Sequence, residues 1–376
     1  MVFECVISRS TLHVEREAKM VEMLASMLGE DGLHWVSTDI TKKPWMKIGE
    51  PFVMVHGQGR FMRAMIALYQ YTGDPIWKQC IDKMVEGLEK IVVHKDDYAY
   101  IPVYGFYDEE YLRSCYTKEG WKDTVDPTNE KFGEEGSLFN HQGHIPGALA
   151  TWYQLTGNEH ALRLSGPLVR FYSKPKFWAD FEQEYPEVIG AEHAHWQGCL
   201  HGHINTLRAI LEYAIATNDQ RLKQFVRDGY EWAKQGGFAR IGYVGDGQGC
   251  ATGLMIGIAV KLSQAGIGDY WEDVDQYIRN HGVAMQFTPD DKEFLLGLTD
   301  GKPAPPDDPD KTTTNVINRF VGGFAGNPDK SRYYLCCSTH GNMGLFYAAD
   351  ATVRYQDGTA QPPGSMSTAT CRMRGK

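Results

Sequence analysis

The run Ile66-Ala-Leu-Tyr-Gln-Tyr-Thr72-Gly73-Asp74-Pro75-Ile-Trp-Lys78 ends one helix and starts the next. Gly73 is a stop signal and Asp74 a helix cap. Pro75 suits a first turn, because its fixed φ and missing N–H cost nothing there. The same grammar returns in Ala148-Leu-Ala-Thr-Trp-Tyr-Gln-Leu-Thr156-Gly157-Asn158 and in Leu211-Glu-Tyr-Ala-Ile-Ala-Thr217-Asn218-Asp219. A degenerate copy is Ala259-Val-Lys-Leu-Ser-Gln-Ala-Gly266-Ile-Gly-Asp269. The repeat is helix, tight turn, helix. Each hairpin can bury its apolar face only against a neighbour, so the pattern predicts an all-α array. Unequal intervals and long connections favour a toroid of hairpins, with loops gathered at one mouth, over an even open solenoid.

Working outward, helices are expected over about 15–29, 56–72, 75–93, up to Thr156, 159–172, up to Thr217, 220–234, after Cys250, through Arg279, and over 336–351. That is about ten, against twelve for six complete hairpins, and points to a ring incomplete at the N-terminus. Residues 1–355 are read as one α/α domain. Residues 356–376, with Asp357-Gly-Thr-Ala-Gln-Pro-Pro-Gly364, lack strand alternation and are read as an unstructured tail. Three insertions, 94–139, 173–199 and 287–335, are candidate site walls.

The chain has 376 residues, 42% hydrophobic and 23% charged, which excludes disorder as the main state. Its net charge of −10 is the wrong sign for a reader of nucleic-acid backbones. No apolar run is long enough for a membrane helix. Met1-Val-Phe-Glu-Cys-Val-Ile-Ser-Arg-Ser10 lacks the form of a signal peptide, so a cytoplasmic location is expected. The expected partner is a neutral small molecule or another protein. The 16 Phe, 9 Trp and 20 Tyr supply ring faces that stack on sugars or fill cores.

Eight cysteines are scattered without a Cys-x-x-Cys pair, which does not read as a disulfide framework. Chemistry concentrates in three segments. Glu192-His193-Ala-His195 and Cys199-Leu-His201-Gly-His203 place four histidines within eleven residues. On a strand or loop, His-x-His can bind a metal or hydrogen-bond a polyol. Gly242-Tyr-Val-Gly245-Asp246-Gly247-Gln248-Gly249-Cys250 is a tight-turning loop, with no following Gly-Lys-Ser/Thr and no surrounding strand–turn–helix. Cys336-Cys337-Ser-Thr-His340-Gly-Asn342 puts two thiols at a helix start, where the dipole favours thiolate. His340 shares their face. Cys250, Cys336 and Cys337 are either three ligands of a soft metal, zinc first, or buried structural cysteines.

The run Cys250-Ala-Thr-Gly-Leu-Met-Ile-Gly-Ile-Ala-Val-Lys-Leu-Ser-Gln-Ala-Gly-Ile-Gly-Asp-Tyr-Trp-Glu-Asp-Val-Asp-Gln-Tyr-Ile-Arg-Asn280, followed by Cys336-Cys337, resembles glycoside hydrolase family 127 over roughly residues 20–355. That family is typified by β-L-arabinofuranosidase. The resemblance implies an (α/α)6 barrel, here without the C-terminal β-sandwich domains of the family. It implies zinc (Zn2+) on a Glu-x-Cys pair and two adjacent cysteines, the first of which is the nucleophile. Carried over, Cys250, Cys336 and Cys337 are ligands and Cys336 attacks the anomeric carbon. Gln248 stands where the family has Glu, with His340 as the alternative fourth ligand. Asp246, ahead of Glu231, is the candidate acid/base. His201, His203, Gln58, Arg60, His144 and His195 are candidate substrate contacts.

The function expected is a retaining glycosidase acting on a carbohydrate. Two other readings stand beside it. One is a sugar epimerase or polysaccharide lyase on the same toroid, which would use His, Tyr and Arg without zinc. The other is a non-catalytic glycan-binding relic.

Overall fold

The computed structural model describes residues 14–36, 51–101, 103–104, 113–114, 116–121, 143–174, 177–178, 200–298, 318, 320–352, 354–356 and 359–361. All the expected helices form: α1 Val14–Ser26, α2 Val55–Thr72, α3 Pro75–Ile91, α4 His144–Thr156, α5 Glu159–Tyr172, α6 Leu200–Thr217, α7 Gln220–Gln235, α8 Gly249–Gln264 and α9 Trp271–Tyr277. A further short helix, α10 Lys292–Leu298, lies inside the third insertion, and α11 is Leu335–Ala351. α9 runs on through a π-helical turn, Ile278–Gly282, to Met285. Among the described residues, strands occur only as two-stranded antiparallel ladders.

The hairpin turns have a common chemistry. Gly73 and Gly157 take φ of 68° and 75°, the left-handed region that ends a helix and that glycine enters without a Cβ penalty. At the third copy Asn218 holds the same conformation, φ 57°. The threonine before each glycine turn serves two purposes. Thr72 Oγ1 donates to the Leu68 carbonyl and accepts from the Asp74 N–H; Thr156 does the same with Trp152 and Asn158. Asp74 and Asn158 then cap the next helix, accepting from Ile76 N–H and Ala161 N–H.

The chain divides into two compact units, Met1–Gln220 and Arg221–Lys376. In the first unit α4 packs on both α2 and α6, while α3 and α5 pack on these and on each other. The sequence distinguishes the two kinds of helix. α6 is buried continuously from Leu200 to Glu212. α3 buries one stripe, Trp77, Ile81, Met84, Val85, Leu88 and Ile91, at helical spacing. One charged group sits among the central helices: Glu212, 2% exposed, accepts from Arg63 at 2.5 and 3.1 Å and from Arg208 at 3.3 Å.

In the second unit α8 and α11 lie against each other along their lengths, and α9 packs on α8. An apolar cluster of Met285, Phe287, Leu295, Phe324 and Ala325 supports them, with Phe320, Tyr333 and Leu345 at its margin. After α11, Arg354–Gln356 pairs antiparallel with Thr359–Gln361.

Candidate functional site

Cys250, Cys336, Cys337, His144, His201 and His203 fall in the first turns of their helices. In the second unit the reason is glycine. A Cβ on Gly253 of α8 would run into the His340 carbonyl and Gly341 Cα, and one on Gly344 would fall 2.7 Å from Gly253 Cα. The two helices therefore meet backbone to backbone. Three residues before this contact on each chain stand Cys250 and Cys337, with their sulfurs 3.4 Å apart. Cys336 Sγ lies 3.9 Å from Cys337 Sγ, and all three sulfurs are within 4.8 Å of one another. Cys250 and Cys337 are buried and Cys336 is half-buried.

The loop before α8 completes the arrangement. Gly245 and Gly247 take φ of 59° and 73°, so only glycine turns the chain this tightly without strain. The Gly247 carbonyl accepts a 2.7 Å hydrogen bond from His281 Nε2, and Gly249 N–H donates to the Ala325 carbonyl at 3.2 Å. Gln248 is thus held from both sides. Its Oε1 lies 3.3 Å from Cys250 Sγ and 3.8 Å from Cys337 Sγ, while its Nε2 donates to Asp246 Oδ2 at 2.6 Å. His281 was not singled out from the sequence. It sits in the π-helical turn, and such turns recur at functional sites. Burial lowers its pKa, and the hydrogen bond to the Gly247 carbonyl opposes that shift without outweighing it.

Three sulfurs each about 2.3 Å from a tetrahedral zinc lie about 3.8 Å apart. The separations of 3.4 and 3.9 Å fit such an ion with little movement, and the Gln248 oxygen could be a fourth donor. Two of the thiols have raised pKa values. Hydrogen bonds with Cys336 and Cys337, then burial, push Cys250 well above the usual thiol value. The Cys250 hydrogen bond lowers Cys337, but the one with Cys336, together with burial, outweighs it and holds Cys337 at about 12. Packing three thiolates together needs a cation among them.

His340 does not join this set. Its Nδ1 donates back to the Cys336 carbonyl at 2.9 Å, and the cluster of potential ligand atoms among the described residues contains the three sulfurs alone. The i, i+4 spacing that made it a candidate fourth ligand serves a local bond along the helix instead. Asp246, the candidate acid/base, is exposed, and both its oxygens take hydrogen bonds from Gln248. Glu231 lies on α7 and pairs with Lys234 at 3.6 Å.

In the first unit, His201 and His203 are buried in the opening turn of α6. Two residues apart on a helix point in different directions, so they cannot share one ion. His203 Nε2 donates to the Phe177 carbonyl at 2.9 Å, and burial, opposed by that bond, brings its pKa down to about 4. His144 opens α4, buried, and Arg60 is half-buried in α2. Gln58 is fully buried: it accepts from His34 N–H at 2.9 Å and donates to the His34 and Met54 carbonyls. That makes it a tie between backbone segments. The flanking glycines of the same motif are there for close approach, Gly57 to the His34 ring and Gly59 to the backbone of His144 and Ile145. His34, stacked on Phe61 at 4.0 Å, carried no sequence signal. His193, His195 and Cys199 lie outside the described residues.

No protein-family model matches the chain, and no curated protein does. Among solved structures, it is similar to the GH127 β-L-arabinofuranosidase Ara127N from Geobacillus stearothermophilus T6, at 16% identity and a TM-score of 0.50. That match covers 94% of this chain and 55% of the other, so this chain spans about half the length of that enzyme. It is also similar to the GH76A α-1,6-mannanase of Salegentibacter sp. HEL1_6, at 12% identity over 88% of this chain and 96% of the other, with a TM-score of 0.46. The likeness to the arabinofuranosidase agrees with the hairpin reading: the fold is all-α and of the (α/α)6 glycoside hydrolase type.

Proposed function

We propose that this chain is a retaining glycoside hydrolase of β-L-arabinofuranosidase type, with Cys336 as its nucleophile. The observation that supports the reading is the convergence of Cys250, Cys336 and Cys337 with the Gln248 amide oxygen. Fold likeness to an arabinofuranosidase and the sequence resemblance to its family point the same way. Cys250, Cys337, Cys336 and Gln248 would hold a zinc ion, which when bound keeps the thiols as thiolates near neutral pH.

Cys336 suits the nucleophile's role because it is the least buried of the three sulfurs. Its sulfur forms a bond to the anomeric carbon as the glycosidic C–O bond breaks, with the electron pair leaving on oxygen. A carboxylic acid protonates that oxygen; Asp246, the candidate offered by the sequence, instead has both its oxygens engaged by Gln248. The resulting carboxylate then takes a proton from water, the water oxygen attacks the same carbon, and the thiolate leaves. Two inversions give net retention.

The test combines metal analysis of the purified protein with assay on an aryl β-L-arabinofuranoside. The expected result is one zinc per chain, hydrolysis with retained configuration, and loss of turnover in Cys336→Ser with the fold intact. Normal turnover in Cys336→Ser would overturn the assignment. Release of an unsaturated uronate by the wild type would favour the lyase.

A further inference from the structure

The sulfur site contains an amide where an acidic ligand would ordinarily be found, and that amide has one fixed orientation. Gln248 could be placed with either terminal atom toward the sulfurs. Were it reversed, its Oε1 would face Asp246 Oδ2 at 2.6 Å, oxygen against oxygen, with no proton between. The carboxylate therefore selects the orientation in which Nε2 donates to it. Oε1 is then turned onto Cys250 Sγ and Cys337 Sγ. The backbone leaves Gln248 little freedom to escape this choice, since His281 holds the carbonyl before it and Ala325 accepts from the N–H after it.

We propose that Asp246 is a positioning residue for the metal centre: through Gln248 it fixes a neutral amide oxygen as the fourth donor beside the three cysteine sulfurs. Asp246 does not touch the ion. Its charge is delivered through the amide, whose oxygen becomes a better donor when its N–H is held by a carboxylate. Three thiolates and a neutral oxygen leave a divalent centre one negative charge; a glutamate in place of Gln248 would leave two. The carboxylate behind Gln248 thus suits an amide and is wrong for an acid, because two carboxylates at that distance repel. This inference rests on the zinc reading of the sulfur site, and the experiment separates the two.

Zinc affinity of the full chain is measured by competition with a chromogenic chelator, and cobalt substitution is followed by its ligand-field and sulfur-to-metal charge-transfer absorption. Asp246→Ala should weaken zinc about 10–100-fold and alter the ligand-field bands, while leaving the charge-transfer intensity of three thiolates unchanged. Asp246→Asn, whose side-chain oxygen can still accept from Nε2, should recover part of the loss. Gln248→Glu should bind zinc more tightly than wild type. In that background Asp246→Ala should tighten binding further, because it removes the repelling carboxylate. A merely structural role for Asp246 predicts a loss in both backgrounds, and an acid/base role predicts none in either. Wild-type protein that binds no zinc overturns the metal reading itself. Zinc-binding wild type with an unaffected Asp246→Ala, or a loss of equal size in both backgrounds, overturns the positioning role alone.

Discussion

Gly253 of α8 lies against the His340 carbonyl of α11, and Cys250 and Cys337, each three residues earlier, consequently meet at 3.4 Å. The backbone contact sets the sulfur spacing. A methyl group at residue 253 cannot be accommodated by a side-chain rotation, because what it meets is main chain.

Gly253→Ala should therefore force the two helices apart. Overpacking of this kind typically costs about 1–3 kcal/mol, which urea unfolding will read. Zinc binding should weaken with it. Gly297→Ala in α10 is the control, since nothing stands within 4 Å of its new Cβ. There the gain in helix propensity should leave stability unchanged or raised by up to about 1 kcal/mol. Equal effects at the two positions would show that the crossing is not tight.

Removing the metal should destabilise the protein. A ligand bound only by the folded state raises stability by mass action. Excess chelator should lower the melting temperature of the wild type and have a much smaller effect on Cys250→Ser or Cys337→Ser. Cys80→Ser, at a half-buried cysteine of α3, should behave like wild type. Insensitivity of the wild type to chelation would favour buried structural cysteines.

His203 should give the fold an acid sensitivity. In the unfolded chain an imidazole gains its proton as the pH falls through about 6.5, whereas burial delays this in the fold to about 4. Between those values the unfolded state binds more protons. Stability is full above about 6.5 and declines as the pH falls toward about 4, by at most about 3 kcal/mol. His203→Gln keeps a donor for the Phe177 carbonyl and does not titrate. Its unfolding free energy should vary less steeply with pH over this window, and parallel profiles would contradict the assignment.

Glu212 balances two guanidiniums among buried helices. Replacing it with leucine would leave Arg63 and Arg208 without their shared carboxylate, and breaking a buried pair costs about 3–5 kcal/mol. Denaturant unfolding of Glu212→Leu should show a loss of that order. Replacing the arginine and glutamate together with apolar residues, as in Arg63→Met with Glu212→Leu, should recover part of it. A loss below about 1 kcal/mol would mean that solvent reaches the ion pair.

Turn chemistry and hydrophobic period were enough to place the helices and their hairpin pairing, because Thr-Gly-Asp and its variants act within a few residues. The same locality made Cys336 and Cys337 visible as a pair. α10 escaped notice because it is a brief element inside a stretch dominated by turn formers.

The chain's own residue order determined the hairpins, the cysteine candidates and the substitution of an amide for an acid at residue 248. Only the tertiary structure decided that Cys250 meets Cys337, 87 positions away, since that depends on two glycine faces recognising each other. It decided that His340 turns back to its own helix and that Gln58 serves its backbone neighbours, because ring and amide orientations answer to the nearest acceptor. It also decided that Asp246 faces the Gln248 amide: two positively signed φ angles bend the loop, and a hydrogen bond from His281, remote in sequence, holds it there.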